Sequence, residues 1–463
     1  MVAQLWHHDG WFDEMQAWLI ARASRTPAEM ITNLRHEGHP ALWHLLLWCS
    51  TFISTDCRSV FVVAFLVALG NVSLVVFASP FQRVEKALLI FGNVYVFQYA
   101  VMARCYGLGL LLCTQALVVA RGRFNRVRGL VGGSLALAAN TSLLGLGLSS
   151  VCLLLWLRDS RRVVKPWLDL GIFTCGILAA VTTMIPASDV RVFSAAGSLA
   201  TWSVVIREVL GDALVPWPGP GPFWIDHAAS PMLGIVAAVI LVVLAFRRSP
   251  ELLALLGVVT TAFVLFGCVV YPFSLRHNAT IFCLVLLFLW WRGPSSDAIE
   301  RYAWRTLLVL QVVCGLATVV RHHDHALSPA RVYADWLSSH RAADGTLYPL
   351  ATDRQAVTLS AYLDAEPVVH LGLLEPQTYA PHDQRTVDVP IQKIIQGAAF
   401  LRKVIPNAVY VLRSDYGEKL ATSSSRQLVR IATSSAEFYP WDMIFLYVFD
   451  DHPLATKTPL VVP

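Results

Sequence analysis

The chain has 463 residues, of which 56% are hydrophobic and only 14% charged, with a mean hydropathy of +0.56. That balance excludes a soluble enzyme, because the apolar residues come in long runs, and it indicates a polytopic membrane protein. The formal charge of +5 is spread over short basic clusters, so it speaks of topology rather than of nucleic-acid binding. The nine cysteines fall between Cys49 and Cys314 without CxxC or CxxH spacing, which indicates neither a disulfide framework nor a zinc cluster.

In chain order, residues 1–40 read as a first water-facing loop carrying the acidic pair Asp13-Glu14. No helix precedes Asp9 to anchor such a loop, so the native N-terminus is expected upstream of Met1. Apolar runs follow at 41–55, 59–78, 86–102, 105–120, 129–142, 143–157, 166–186, 231–246, 251–271, 276–292 and 304–320. These make a transmembrane bundle over 41–320, although several runs fall short of the roughly 20 residues that spanning requires. Basic groups at Arg121–Arg128, Arg158–Lys165, Arg247-Arg248 and Arg292–Arg305 mark the cytoplasmic side. Alternation then puts Arg104, the 187–230 loop, the Tyr271–Asn278 turn and everything after Arg321 outside. For Asp13-Glu14 to share that side, 41–55 and 59–78 must together cross an odd number of times. The first of these is short and ends at Asp56 and Arg58, so it is expected to lie along the interface or to cross incompletely.

Within the 187–230 loop, Val190–Leu210 reads as an interfacial helix and Pro216–Pro222 as a rigid stop. Residues 321–463 change character. Strand-like runs at Pro367–Leu371 and Ala408–Leu412 alternate with helix-like runs at Ala330–Ser339 and Ala356–Leu363, as in a small soluble α/β domain. There is no internal repeat.

Three constellations could carry chemistry. Asp13-Glu14 are flanked by the interfacial aromatics Trp11, Phe12 and Trp18, and a partly desolvated carboxylate can take a proton from a nucleophile or hold a metal ion. In Glu37-Gly38-His39-Pro40, Pro40 suits the start of a helix, while Gly38 lets the backbone turn so that Glu37 and His39 share one cavity. Arg104, and Arg276 with its neighbour His277, lie on the side expected for Asp13, where guanidinium forks match phosphate oxygens. Phosphate loops, dinucleotide fingerprints, HExxH and GxSxG are all missing. His322-His323-Asp324-His325 reads as a solvated juxtamembrane linker and Asp450-Asp451-His452 as a surface turn.

These residues carry a family resemblance. Asp13-Glu14 in a first outer loop, followed by Glu37-x-His39-Pro40-x-Leu42 at the start of a membrane helix, resembles the GT-C superfamily of membrane glycosyltransferases. It is most similar to the bacterial branch of protein mannosyltransferases, aminoarabinose transferases and Rgt-type enzymes. Met102–Leu111, with Arg104-x-Tyr106-x-Leu108, resembles the family's Arg-x-Tyr-x-Leu helix start, and Tyr271–Asn278 resembles its late arginine-containing loop. The likeness spans about residues 1–320. HPAL stands here where HPPL is common, a minor departure.

The resemblance implies an all-α polytopic membrane bundle of about 10–12 transmembrane helices followed by a small soluble α/β domain. It implies inverting sugar transfer from a polyprenyl-phosphate donor on the extracytoplasmic side of a bacterial inner or plasma membrane. Asp13 would be the general base with Glu14 beside it as the second catalytic acid. Glu37, His39, Arg104, Tyr106, Arg276 and His277 would bind substrate, with Arg104 and Arg276 on the donor phosphate. A divalent cation could bind near Glu14, Glu37 and His39. The acceptor, whether glycan, lipid or protein, is open, and no nucleic-acid partner is expected. A lipid or sugar transporter and a non-catalytic scaffold of the same fold are the rival readings.

Overall fold

In the computed structural model, the described residues are 2–122, 129–159, 166–188, 213–219, 250–269, 275–293, 297–340, 349–351, 354–379, 390–405, 408–413, 428–430, 432–434, 444–449 and 460–462, with isolated positions at 209, 211, 236, 239, 240 and 455. Val190–Leu210, the 231–246 run and Asp450–His452 lie outside them, isolated positions apart, as do residues 123–128, 160–165, 247–248 and 294–296 of the basic clusters.

Helix α1 (Val2–His7) leads into α2 (Phe12–Ala23), α3 (Pro27–Asn33) and α4 (Leu42–Thr51). The acidic pair therefore stands in the first turn of a helix, not in a loop. The reason is local. Glu14 sits at the third helical position and accepts the Trp11 main-chain N–H (3.1 Å), and carboxylates are favoured at the positive end of a helix. Phe12, Met15, Trp18 and Leu19 then bury the helix almost completely. Helix α3 starts with Thr26 accepting the Glu29 N–H and Pro27 in the first turn. Helix α4 has ten residues, about 15 Å of rise, or half the hydrocarbon thickness.

The bundle continues with α5 (Ser59–Ala78), α6 (Arg83–Phe91), a single π-helical turn at Val94–Gln98, α7 (Tyr106–Arg121), α8 (Leu130–Ala139), α9 (Leu143–Asp159), α10 (Trp167–Met184), α11 (Pro250–Val269), α12 (Leu275–Arg292) and α13 (Ala298–Asp324). The run expected over 86–102 thus breaks at Gly92-Asn93. Among the described residues α5, α10 and α13 are long and apolar enough to cross a membrane. Helix α5 leaves Val62, Leu66 and Phe77 exposed, as a lipid-facing helix does. Helix α12 is different. Leu275, Arg276 and every residue from Asn278 to Trp290 are buried, so it runs through the middle of the bundle against α7, α9 and α11.

Close backbone approach holds these helices together. The Asn71 amide donates to the carbonyls of Val67 and Gly107, tying α5 to α7. Asp169 caps the start of α8 through the N–H groups of Gly129 and Gly132. Gly107 lies against Tyr99, where an added Cβ would come within 2.6 Å of the carbonyl oxygen.

Residues 330–462 form a three-layer α/β unit. Strands β1 (Pro349–Ala351), β2 (Val368–His370), β3 (Glu375–Gln377), β4 (Val409–Arg413), β5 (Leu428–Arg430) and β7 (Ile444–Phe449) make one sheet in the order β3-β2-β1-β4-β7-β5. β1 is parallel to β2 and β4, and the outer pairings are antiparallel. β6 (Ala432–Ser434) and β8 (Leu460–Val462) pair separately. The period-2 alternation of β4 sends Val409 and Val411 under α14 (Ala330–Ser339) and α15 (Arg354–Tyr362), and Tyr410 and Leu412 toward α16 (Ile391–Val404).

Two substitutions test the packing. Gly107→Ala should lower stability by roughly 1–3 kcal/mol, because the rigid Tyr99 carbonyl must move. Gly133→Ala meets nothing within 4 Å and should leave the melting temperature unchanged or raised. Thermal unfolding in detergent checks both.

Candidate active site

Four separate stretches of chain converge at one end of the bundle: the first turn of α2, the 37–40 segment, the 99–105 turn and the start of α12. Gly38 adopts φ +65°, the left-handed conformation that favours glycine, and this turns the chain between Glu37 and His39. The π-helical turn at Val94–Gln98 delivers the 99–105 turn, whose last residues point Arg104 inward before α7 begins at Tyr106.

At the centre, Arg276 Nη2 donates to Asp13 Oδ2 at 2.9 Å. Arg276 stands in the first turn of α12, where the helix dipole disfavours a cation, so the Asp13 carboxylate offsets both that dipole and the burial of the guanidinium. Arg276 also lies over the Trp11 ring, with 4.7 Å to the centroid. Arg104 Nη1 donates to the main-chain oxygen of Asp13, and its Nη2 meets His39 Nε2 at 3.2 Å. Arginine cannot accept, so His39 Nε2 is the acceptor and is unprotonated. The Gln16 amide donates to Glu37 Oε1 (2.8 Å), and Tyr106 Oη lies 2.8 Å from His277 Nε2. Tyr106 stacks on Tyr99, whose hydroxyl donates to the main-chain oxygen of Arg276 at 3.4 Å.

Both guanidiniums are buried, at 8% and 5% exposure, whereas the Asp13 side chain keeps 25%. The hydrogen-bond partners of Arg104 are neutral. Two guanidiniums thus stand at this end of the bundle with the carboxylates of Asp13 and Glu37 near them, and guanidinium forks match phosphate oxygens. Asp13, Glu37, His39, Arg104, Arg276 and His277, expected from the sequence to share a site, lie on these four converging stretches, and Tyr106, the first residue of α7, joins them through His277.

Glu14 takes another direction. Its side chain is fully buried and surrounded by N–H groups. Oε2 accepts from Trp11 N (3.1 Å) and His8 Nε2 (2.9 Å), and Oε1 accepts from Ala103 N (2.6 Å). His8 Nδ1 in turn lies 3.0 Å from Nε2 of His322, at the end of α13. His322 is thus buried, while His323 and Asp324 are exposed, so only part of the His322–His325 tract is the solvated linker expected. The sequence reading also passed over His8. The available signal was a repeated His-His-Asp, at 7–9 and at 322–324, whose first doublet partners the second: His7 and His323 meet edge to face at 5.5 Å.

The C-terminal unit packs on the same acid-bearing segment. Helix α15 lies against α2, the Gly10 N–H donates to Tyr362 Oη (2.7 Å), and Arg22 pairs with Asp364 (2.9 Å). Arg331 reaches Asp9 at 3.3 Å. Among the described residues no three His, Cys, Asp or Glu side chains converge in a way that could hold a metal ion.

No protein-family model and no curated protein matches the sequence. A solved structure does match the fold: ArnT from Cupriavidus metallidurans bound to undecaprenyl phosphate, with a TM-score of 0.52 over 99% of this chain and 97% of that one, at 12% identity. The chain shares that protein's fold. The correspondence runs end to end, so it takes in the C-terminal α/β unit as well as the bundle. With its apolar helices, this fold makes the chain an integral membrane protein.

The Asp9–Arg331 contact gives a pH signature. Burial raises the Asp9 carboxyl above its ordinary 3.8, with Arg331 opposing the shift only in part. Stability from a carboxyl with a raised folded pKa is complete below the unfolded value and is lost as pH rises through the folded one. Asp9→Asn should therefore melt with the parent below about pH 4 and increasingly above it toward neutrality. Melting curves across that range check the sign, and a parent that gains on the variant as pH rises contradicts it.

Proposed function

We propose that the protein is a membrane glycosyltransferase that moves a sugar from a polyprenyl-phosphate donor to an acceptor on the extracytoplasmic side. The observation that carries this reading is the convergence of two buried arginines on Asp13, Arg276 on its partly exposed carboxylate and Arg104 on its main-chain oxygen. The fold shared with ArnT, whose structure holds undecaprenyl phosphate, supports a polyprenyl phosphate as the anionic partner.

In this reading the acceptor hydroxyl oxygen attacks the anomeric carbon as the bond from that carbon to the phosphate oxygen breaks. The bonding pair leaves with the polyprenyl phosphate, and the hydroxyl proton passes to Asp13. One displacement inverts the anomeric centre. Arg104 and Arg276 neutralise the charge that grows on the departing phosphate, and burial makes that neutralisation stronger than it would be in water. His39, already an acceptor toward Arg104, keeps that guanidinium aimed. Glu37, His277 and Tyr106 line the same end and orient the sugars. Because the donor is lipid-linked, no nucleotide-binding motif is needed. The basic clusters of the sequence favour a cytoplasmic side opposite this site.

Asp13→Asn should lower kcat by roughly a hundred- to ten-thousandfold, the usual worth of a positioned base, and should also lower the melting temperature, because buried Arg276 loses the carboxylate that offsets its charge. Turnover of a radiolabelled polyprenyl-phosphate sugar in membranes is the measurement. Near-parental turnover removes Asp13 from the role, and vectorial movement of the lipid without transfer identifies a transporter. Arg276→Lys should raise KM for the donor more than it lowers kcat, since lysine keeps the charge and loses the fork.

A further inference from the structure

We infer that His322, His8 and Glu14 form a buried positioning relay, which sets the Arg104 turn against Asp13 from the helix that leads into the C-terminal unit. The relay rests on the transferase reading only for its kinetic readout.

The atoms leave little freedom. Both oxygens of Glu14 accept main-chain N–H groups, Trp11 on one and Ala103 on the other, and those donors cannot reverse. Glu14 therefore accepts through both oxygens with no exposed surface, and removing a partner from such a buried group is costly. The third partner is His8, whose Nε2 lies 2.9 Å from Glu14 Oε2. Its Nδ1 then faces His322 Nε2 at 3.0 Å, and a single proton joins the two rings. Ring contacts hold the pair in place: Phe61 lies edge-on to His8, and Phe97, in the π-helical turn, lies edge-on to His322.

The relay ends at Ala103 N, one residue before Arg104. Asp13 is the residue before Glu14. A shift of Glu14 thus moves the carboxylate and one guanidinium of the site against each other. At its far end, α13 continues through residues 325–329 into α14, which carries the Arg331 that reaches Asp9. The relay touches neither sugar nor phosphate in the proposed reaction, so all three residues are positioning residues.

The test replaces His322, the member farthest from the site. His322→Phe keeps the ring packing and removes the nitrogen, while His322→Gln keeps an amide that can donate to His8. In the full-length protein, His322→Phe should lower kcat roughly tenfold with the melting temperature held, and His322→Gln should restore most of it. The relay is overturned if the Phe variant turns over like the parent, or if both variants fall alike. Should the parent itself show no transfer, the function proposed above fails, and the relay is judged by the amide resonance of Ala103 in alanine-labelled protein. That resonance should move in His322→Phe and return in His322→Gln. An unmoved Ala103 amide in the Phe variant sinks the relay whatever the protein does.

Discussion

A carboxylate with no access to water organises this end of the molecule. Glu14 binds the start of its own helix, the turn that carries Arg104 and the imidazole of His8. Each contact is a hydrogen bond in a low-dielectric setting, and the burial that strengthens them also makes each one hard to give up. Loop segments distant in sequence are thereby held to within hydrogen-bond tolerances. Asp13, the next residue back, inherits that precision and keeps a partly exposed carboxylate between two guanidiniums.

The division of labour between Asp13 and Glu14 follows from helix geometry. Neighbours in a helix point about 100° apart, and here the two members of the acidic pair face different surroundings. One faces the arginines at the mouth and the other faces the packed interior. The positive ends of two helices meet here as well, and they act in opposite senses. At α2 the dipole favours the acids, whereas at α12 it opposes Arg276 and strengthens the case for the Asp13–Arg276 pair.

The C-terminal unit is part of this arrangement rather than an appendage. Its contacts through Tyr362, Arg331 and Asp364 fall on residues 9–22, the acid-bearing segment. The segment is thus held between the bundle and an α/β unit. Such clamping lowers the conformational freedom of the groups that must meet a substrate, which is where positioned chemistry gains most.

Much of this was legible along the chain. Long apolar runs dictated a helical membrane bundle, because backbone in lipid must satisfy its own hydrogen bonds. The strand-like run Ala408–Leu412 is a strand, and its two covered faces came only with the structure. Asp13, Glu37, His39, Arg104 and Arg276 stood out because charge is costly at apolar borders. Other features were not legible. The helical state of Phe12–Ala23 was masked by its charged, aromatic-rich look, and the break at Gly92-Asn93 interrupts what reads as one apolar run. His8 and His322 are 314 residues apart, and no local periodicity can report such a pair. By itself the sequence determined which residues are too polar for lipid and must find partners. Only the tertiary structure decided which partners they found. Pairing depends on where helices of fixed rise and fixed side-chain direction end in space, and that is set by the packing of the whole bundle.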